Sequence, residues 1–195
     1  MSVKIKVLTG SELVENLPKL ARLRISVFRD WPYLYEGSLD YEEKYLARYA
    51  KTEGAVIIGA FDGAELVGAA TGEPLDKEVI QFRKPFEDRG FSPTDIFYLA
   101  ESVLEPEFRG QGVGHQFFEE REAHARRLGY SLAAFCAVIR PADHPARPVD
   151  YRSLDPFWSK RGYRSIDGLI VHFPWQDLGS DEETEKPMQV WMRSL

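Results

Sequence analysis

The feature that most constrains this 195-residue chain is the run Arg109-Gly110-Gln111-Gly112-Val113-Gly114. An apolar stretch, Ile96 to Leu104, precedes it, and Pro106, which cannot donate to a sheet ladder, marks the strand's end. A helical stretch follows, from about Gly112 to Leu128, with Gly129 as its C-terminal cap. Three glycines at alternate positions let the backbone approach a ligand closely. The first N–H groups of a helix have no intrahelical partner, and the positive end of its dipole lies beside them. Such a turn binds an anion of the pyrophosphate kind. Arg109 supplies a further charge-assisted donor.

Three readings of the turn compete: a bare glycine turn, a dinucleotide-binding loop and another pyrophosphate cradle. The strand before it, the helix after it and the adjacent arginine favour a ligand. A Gly-x-Gly-x-x-Gly loop is not satisfied, because the third glycine stands at 114. An NAD-type reading would also demand a parallel sheet. No Gly-Lys-Ser/Thr follows, which excludes a nucleotide triphosphatase loop.

The rest of the chain reads as alternating elements. Val3, Ile5 and Val7 alternate with polar residues and predict a first strand. A helix follows from Thr9 or Ser11 to about Phe28, with Leu13, Leu17, Leu20, Leu23 and Val27 on one side and Pro18 expected to interrupt or restart it. Trp31 to Gly37 is an aromatic loop, and a helix after Ser38 covers Tyr41 to Tyr49. Ala55 to Phe61 and Glu65 to Thr71 flank Asp62-Gly63, a strong hairpin signal. Residues 73 to 95 form a connection of the length that carries function or a short helix. Ser131 to Ile139 is an apolar strand, and Arg140 to Arg152 is a loop rich in proline and charge. Leu154 to Arg161 is a short helix with Ser153 or Asp155 as cap and Gly162 at its end. Strands at Leu169 to Trp175 and Met188 to Arg193 flank the acidic loop Gly179 to Lys186. With no repeat and no linker, 1–195 reads as a single domain.

A formal net charge of −6 argues against broad nucleic-acid binding but allows a local basic pocket. Cys136 is the single cysteine, so no disulfide forms within the chain and no Cys-based zinc site is available. His115, His124, His144 and His172 lack metal-ligand spacing. The longest apolar run, Leu132 to Ile139, falls far short of the roughly 20 residues that span a bilayer. The first ten residues lack a signal peptide's apolar core. The expectation is a cytoplasmic protein with no membrane partner, and a homodimer is left open.

The stretch from Leu104 to Gly114 resembles the GNAT superfamily of N-acetyltransferases. That family's Arg/Gln-x-x-Gly-x-Gly/Ala signature is matched by Arg109, Gly112 and Gly114, and its apolar-x-Pro strand end by Leu104, Glu105 and Pro106. A second family segment is matched by Phe157-Trp158 and Gly162-Tyr163. The resemblance in element order covers nearly the whole chain. It implies an α/β (α+β) fold: a mixed, mostly antiparallel sheet with splayed parallel strands 4 and 5, flanked by helices. It implies acetyl-CoA (coenzyme A) as the acyl donor. The N–H groups from Arg109 through Gly110, Gln111, Gly112 and Val113 to Gly114 would hold the pyrophosphate. The backbone of Ser102 and Leu104 would pair with the pantetheine, and the Leu104 N–H would polarise the thioester carbonyl. The short helix with Phe157, Trp158 and Lys160 would flank the other side.

Acylating an alkyl amine requires a proton to leave an ammonium of pKa about 10. Glu101, three residues before Leu104, stands where several members of the family carry such a base; its other reading is a solvated or ion-paired strand residue. The family's thiolate-protonating tyrosine corresponds here to Trp158, whose indole is no usable acid. Tyr151, Tyr163 and the amine's own proton are the substitutes, and Cys136 reads as a buried structural thiol. Without an acid, the alternative function is an acyl-CoA-binding sensor or scaffold. Arg29, Trp31, Tyr33, Tyr35, Glu36, Tyr41 and Glu42 form an aromatic, acidic cluster suited to a cationic amine. The expected acceptor is a small-molecule or peptide amine.

Overall fold

The computed structural model describes residues 3–195; Met1 and Ser2, at the start of the segment read as a first strand, lie outside the described residues. A sheet of seven strands organises them: β1 (Lys4–Val7), β2 (Val56–Asp62), β3 (Glu65–Pro74), β4 (Ile96–Leu104), β5 (Leu132–Val138), β6 (Arg164–Gln176) and β7 (Glu183–Ser194). Their order is β1-β2-β3-β4-β5-β7-β6. Neighbours are antiparallel except β4 and β5, which are parallel. A mostly antiparallel sheet dismisses the NAD-type reading of the glycine turn.

The β4–β5 pairing covers only Ile96 to Tyr98 against Leu132 to Ala134. Beyond it, β4 stays with β3 as far as Leu104 and β5 stays with β7 as far as Val138. The two strands therefore diverge, as the family resemblance implies. Among the described residues, their facing backbone edges have no ladder partner in that opening.

The two-residue strand repeat sorts the core onto two faces. On one face α4 (Val113–Arg127) packs Val113 and Phe117 with Ile58, Phe97, Leu99 and Phe135. On the other, α1 (Gly10–Phe28) and α2 (Leu39–Tyr49) cover Ile57, Phe61, Ala69 and Val103. Beside them α3 (Ile80–Asp88) brings Phe86 onto the cluster of Ile96, Tyr98, Ala134 and Cys136. Tyr33, Tyr35 and Ala100 touch both clusters on that side. Each fully buried aliphatic side chain stabilises the fold by about 1.5–3 kcal/mol.

Several expectations change. Pro18 does not interrupt α1, which runs unbroken through it. An interior proline costs about 3 kcal/mol; burial of Leu20, Ala21, Leu23 and Phe28 on the same helix offsets it. The 73–95 connection does carry a short helix, α3, together with two short 3₁₀ turns. The last two strands are longer than their apolar centres, and β7 begins at Glu183, inside the stretch read as an acidic loop. In α5 (Asp155–Lys160) the cap residue is Leu154; the Ser153 hydroxyl accepts the Asp155 N–H (3.1 Å).

Candidate active site

The glycine turn is built as its sequence requires. Gly110 and Gly112 have φ of 76° and 85°, a region costly for residues with a Cβ. Gly112 is the N-cap of α4, and its carbonyl accepts from His115 (3.0 Å) and Gln116 (3.3 Å). Among the described residues, the N–H groups of Gly110, Gln111, Gly112, Val113 and Gly114 have no backbone partner. The Arg109 N–H differs from the expectation: it donates to the Pro106 carbonyl (3.1 Å) and is not free for a ligand. The Arg109 side chain folds back to the Leu104 carbonyl (3.2 Å), and Gln111 donates to the Glu107 carbonyl (2.9 Å).

The strand beside the turn offers its edge. Glu105 donates its N–H to the Val67 carbonyl of β3 (3.0 Å). With a two-residue repeat, Leu104 and Ser102 then turn their backbone groups towards the opening. The Leu104 carbonyl, taken only by the Arg109 side chain, fits that orientation. The Ser102 hydroxyl accepts from Arg121 Nη2 (2.8 Å).

Arg121 was missed by sequence reasoning. It sits on α4 four residues after Phe117 and is 1% exposed. Its guanidinium also donates to the carbonyls of Thr71 (3.1 Å) and Glu101 (3.0 Å), bracing β3 and β4 where their register shifts. Burial pulls its pKa down to about 10. The available signal was an arginine on the apolar stripe of a helix.

Glu101 lies on β4 within the opening. One carboxylate oxygen accepts from Tyr45 (2.8 Å) and the other from Thr71 (3.0 Å), and Arg24 pairs with it. Arg24 also pairs with Glu42, whose side chain is fully buried. Burial opposes the charge on Arg24, but Glu101, Tyr45 and Glu42 outweigh it and raise its pKa. The ion-paired reading of Glu101 is thus correct as geometry. A carboxylate offers about four lone-pair sites, so a further donor can still be accepted.

The aromatic cluster is assembled above β4 and β5. The Tyr33 ring lies against Phe28 (4.6 Å) and Trp175 (6.1 Å), centroid to centroid. Its carbonyl accepts from Arg140 (2.6 Å) and Trp175 (3.1 Å). Arg140 is paired with Asp177 (2.7 Å), and the Leu178 N–H meets the Leu34 carbonyl (2.7 Å). The loop after α1 is thereby zipped to the turn between β6 and β7. Leu34 holds φ of 54°, a strained value for leucine. Glu36 faces solvent with Arg29, away from the buried acids.

The expected proton donors separate. Tyr163 is 1% exposed and donates to Glu122 (3.0 Å) behind α4, so it does not line the opening. Tyr151 meets Trp31 edge to face. Trp158 packs on Phe135 and Trp191, an apolar role. Phe157 approaches Gly114 at 3.6 Å from an ideal Cβ position, while Lys160 is exposed at the end of α5. Cys136 is buried, and burial pushes its thiol up to about 12, which suits a structural thiol.

A strand pair that opens beside a helix start rich in free N–H groups defines a class, and comparison with known families names it. The model of the acetyltransferase (GNAT) family matches residues 20–152. The chain belongs to that family, and its reaction is acetyl transfer from acetyl-CoA. Solved structures agree in fold. Ribosomal-protein-alanine N-acetyltransferase of Brucella melitensis is 15% identical, with a TM-score of 0.64 over 98% of this chain and 99% of that one. The NAA60 protein of Arabidopsis thaliana, solved with acetyl-CoA, is 13% identical, with a TM-score of 0.64 over 100% and 99%. PaiA N-acetyltransferase of Thermoplasma acidophilum, solved with coenzyme A, is 16% identical, with a TM-score of 0.56 over the whole of both chains. No curated protein matches the chain by sequence. Among the described residues, no helix is long and apolar enough to cross a membrane.

Proposed function

We propose that the chain is an N-acetyltransferase whose acceptor is a small-molecule or peptide amine. One observation carries the reading: Glu101 lies in the opening between β4 and β5, under an aromatic roof and on the strand that runs into the glycine turn. The residues present fit acetyl-CoA, because the free N–H groups of Gly110 to Gly114 suit a pyrophosphate. Arg109 adds its charge by leaving the Leu104 carbonyl. That release frees the Leu104 backbone, with that of Ser102, to pair with the pantetheine. The Leu104 N–H polarises the thioester carbonyl. Phe157, Trp158 and Lys160 close the other side.

Glu101 receives a proton from the acceptor ammonium through a water, using its remaining acceptor site. Arg24, Tyr45 and Thr71 hold that carboxylate still. Aromatic faces and carboxylates around it favour a cationic acceptor. The lone cysteine supports a cytoplasmic setting. Thiol release that depends on an added amine tests the reading. Binding of acetyl-CoA with no release across a broad amine panel would instead favour the sensor or scaffold role.

A further inference from the structure

We propose that the hydroxyl of Tyr33 is the proton donor to the departing thiolate, in place of an acid on α5. This rests on the N-acetyltransferase reading and deepens it. The need is chemical: an alkyl thiolate leaves more readily when a proton reaches its sulfur. The helix that should supply an acid offers Trp158, packed in the apolar core. Tyr163 spends its hydroxyl on Glu122.

Tyr33 meets the need by position. It reaches over the divergence of β4 and β5, touching the cores on both sides of it together with Ala100. Its ring is fixed between Phe28 and Trp175. Its backbone is held by the Asp30 carbonyl (3.1 Å), Arg140 and Trp175. Among the described residues its hydroxyl has no hydrogen-bond partner, unlike that of Tyr45, which is committed to Glu101. Burial, then the charge of Glu101 on β4, push the Tyr33 hydroxyl well above the ordinary tyrosine range. It is therefore protonated when the amine attacks, and it can pass that proton to the sulfur as the acidified nitrogen of the intermediate replaces it.

The step balances. The C–N bond forms and the C–S bond breaks, with its electron pair going to sulfur. The Tyr33 proton goes to that sulfur, and a proton of the attacking nitrogen returns to the Tyr33 oxygen. Glu101 has already taken the ammonium's first proton, so the tyrosine ends as it began.

The test combines a spectroscopic contact with kinetics on the full chain. Tyrosines are labelled with carbon-13 at Cζ, and Tyr33→Phe assigns the Tyr33 resonance. CoA should move that resonance, and desulfo-CoA, which lacks the sulfur, should leave it near its free position. Tyr33→Phe should keep the parental melting temperature and KM for both substrates while kcat falls by about 100-fold. A resonance indifferent to the sulfur overturns the assignment, as does a variant with parental kcat or one whose loss lies in KM. Parental turnover with an indifferent resonance would sink this inference alone. A chain that binds neither CoA nor desulfo-CoA, or that acetylates no amine, would sink the function with it.

Discussion

Glu101 is held by three neighbours, and that restraint makes its substitution informative. Glu101→Gln keeps the shape and loses the proton acceptor. Its kcat should fall by about 100- to 10,000-fold with little change in acetyl-CoA affinity. The loss should shrink at high pH, where free amine is abundant. Isothermal titration beside a pH–rate profile separates this from a purely structural carboxylate, which would show parental turnover at neutral pH. Gly112 tests the turn. At φ of 85° a valine is strained, yet none of the described residues lies within 4 Å of its Cβ. Gly112→Val should therefore fold, at a cost of about 1–2 kcal/mol, and lose acetyl-CoA binding because its side chain stands in the cradle. Retained binding would show that the cradle does not approach the pyrophosphate.

At the scale of elements, β4, the turn and α4 were legible because two strong local signals coincide there. A buried strand reads as an apolar run, and a positive-φ turn reads as glycine. The 73–95 connection was legible as a place for a short helix, but the bounds of α3 were not. That helix is short and polar, contains Pro85 and has no side-chain cap, so packing of Phe86 decides it. The starts of β6 and β7 escaped because they are polar: Arg164 and Ser165 are held by pairing with Met192 and Trp191, and Glu183 to Lys186 by pairing with Gln176 to Phe173. Arg121 and Arg24 escaped because their roles join residues far apart in sequence. Arg121→Met should strand the carbonyls of Thr71 and Glu101 and cost at least about 2 kcal/mol in urea unfolding. An unchanged midpoint would deny the brace.

The contact of α2 with β3 and the segment after it carries a pH signature. Arg48 serves both Glu73 (2.8 Å) and Glu78 (3.4 Å), two buried carboxylates with one arginine between them. Burial first, then the neighbouring Glu73, push Glu78 up to about 8. A carboxyl whose pKa is raised on folding holds a proton that the unfolded chain releases, so stability falls as pH rises from about 4.5 to about 8. The melting temperature should decline across that window, and Glu78→Gln should flatten the decline. An identical slope in the variant would remove Glu78 as its source.

For the whole molecule, the proposed function joins the helix cover, the splayed sheet and the glycine turn: an acyl donor would enter between two strands and an amine would meet it under the aromatic roof. A net charge of −6 suits a cationic acceptor better than an anionic one, in both steering and binding. The most direct measurement of that claim is release of free thiol from acetyl-CoA by the intact chain across an amine panel spanning alkyl amines, aryl-alkyl amines, polyamines and peptide N-termini. The account predicts release that requires an added amine, is matched mole for mole by N-acetyl product and is lost in Gly112→Val. Acetyl-CoA left intact with every amine, or thiol released equally without one, would contradict it.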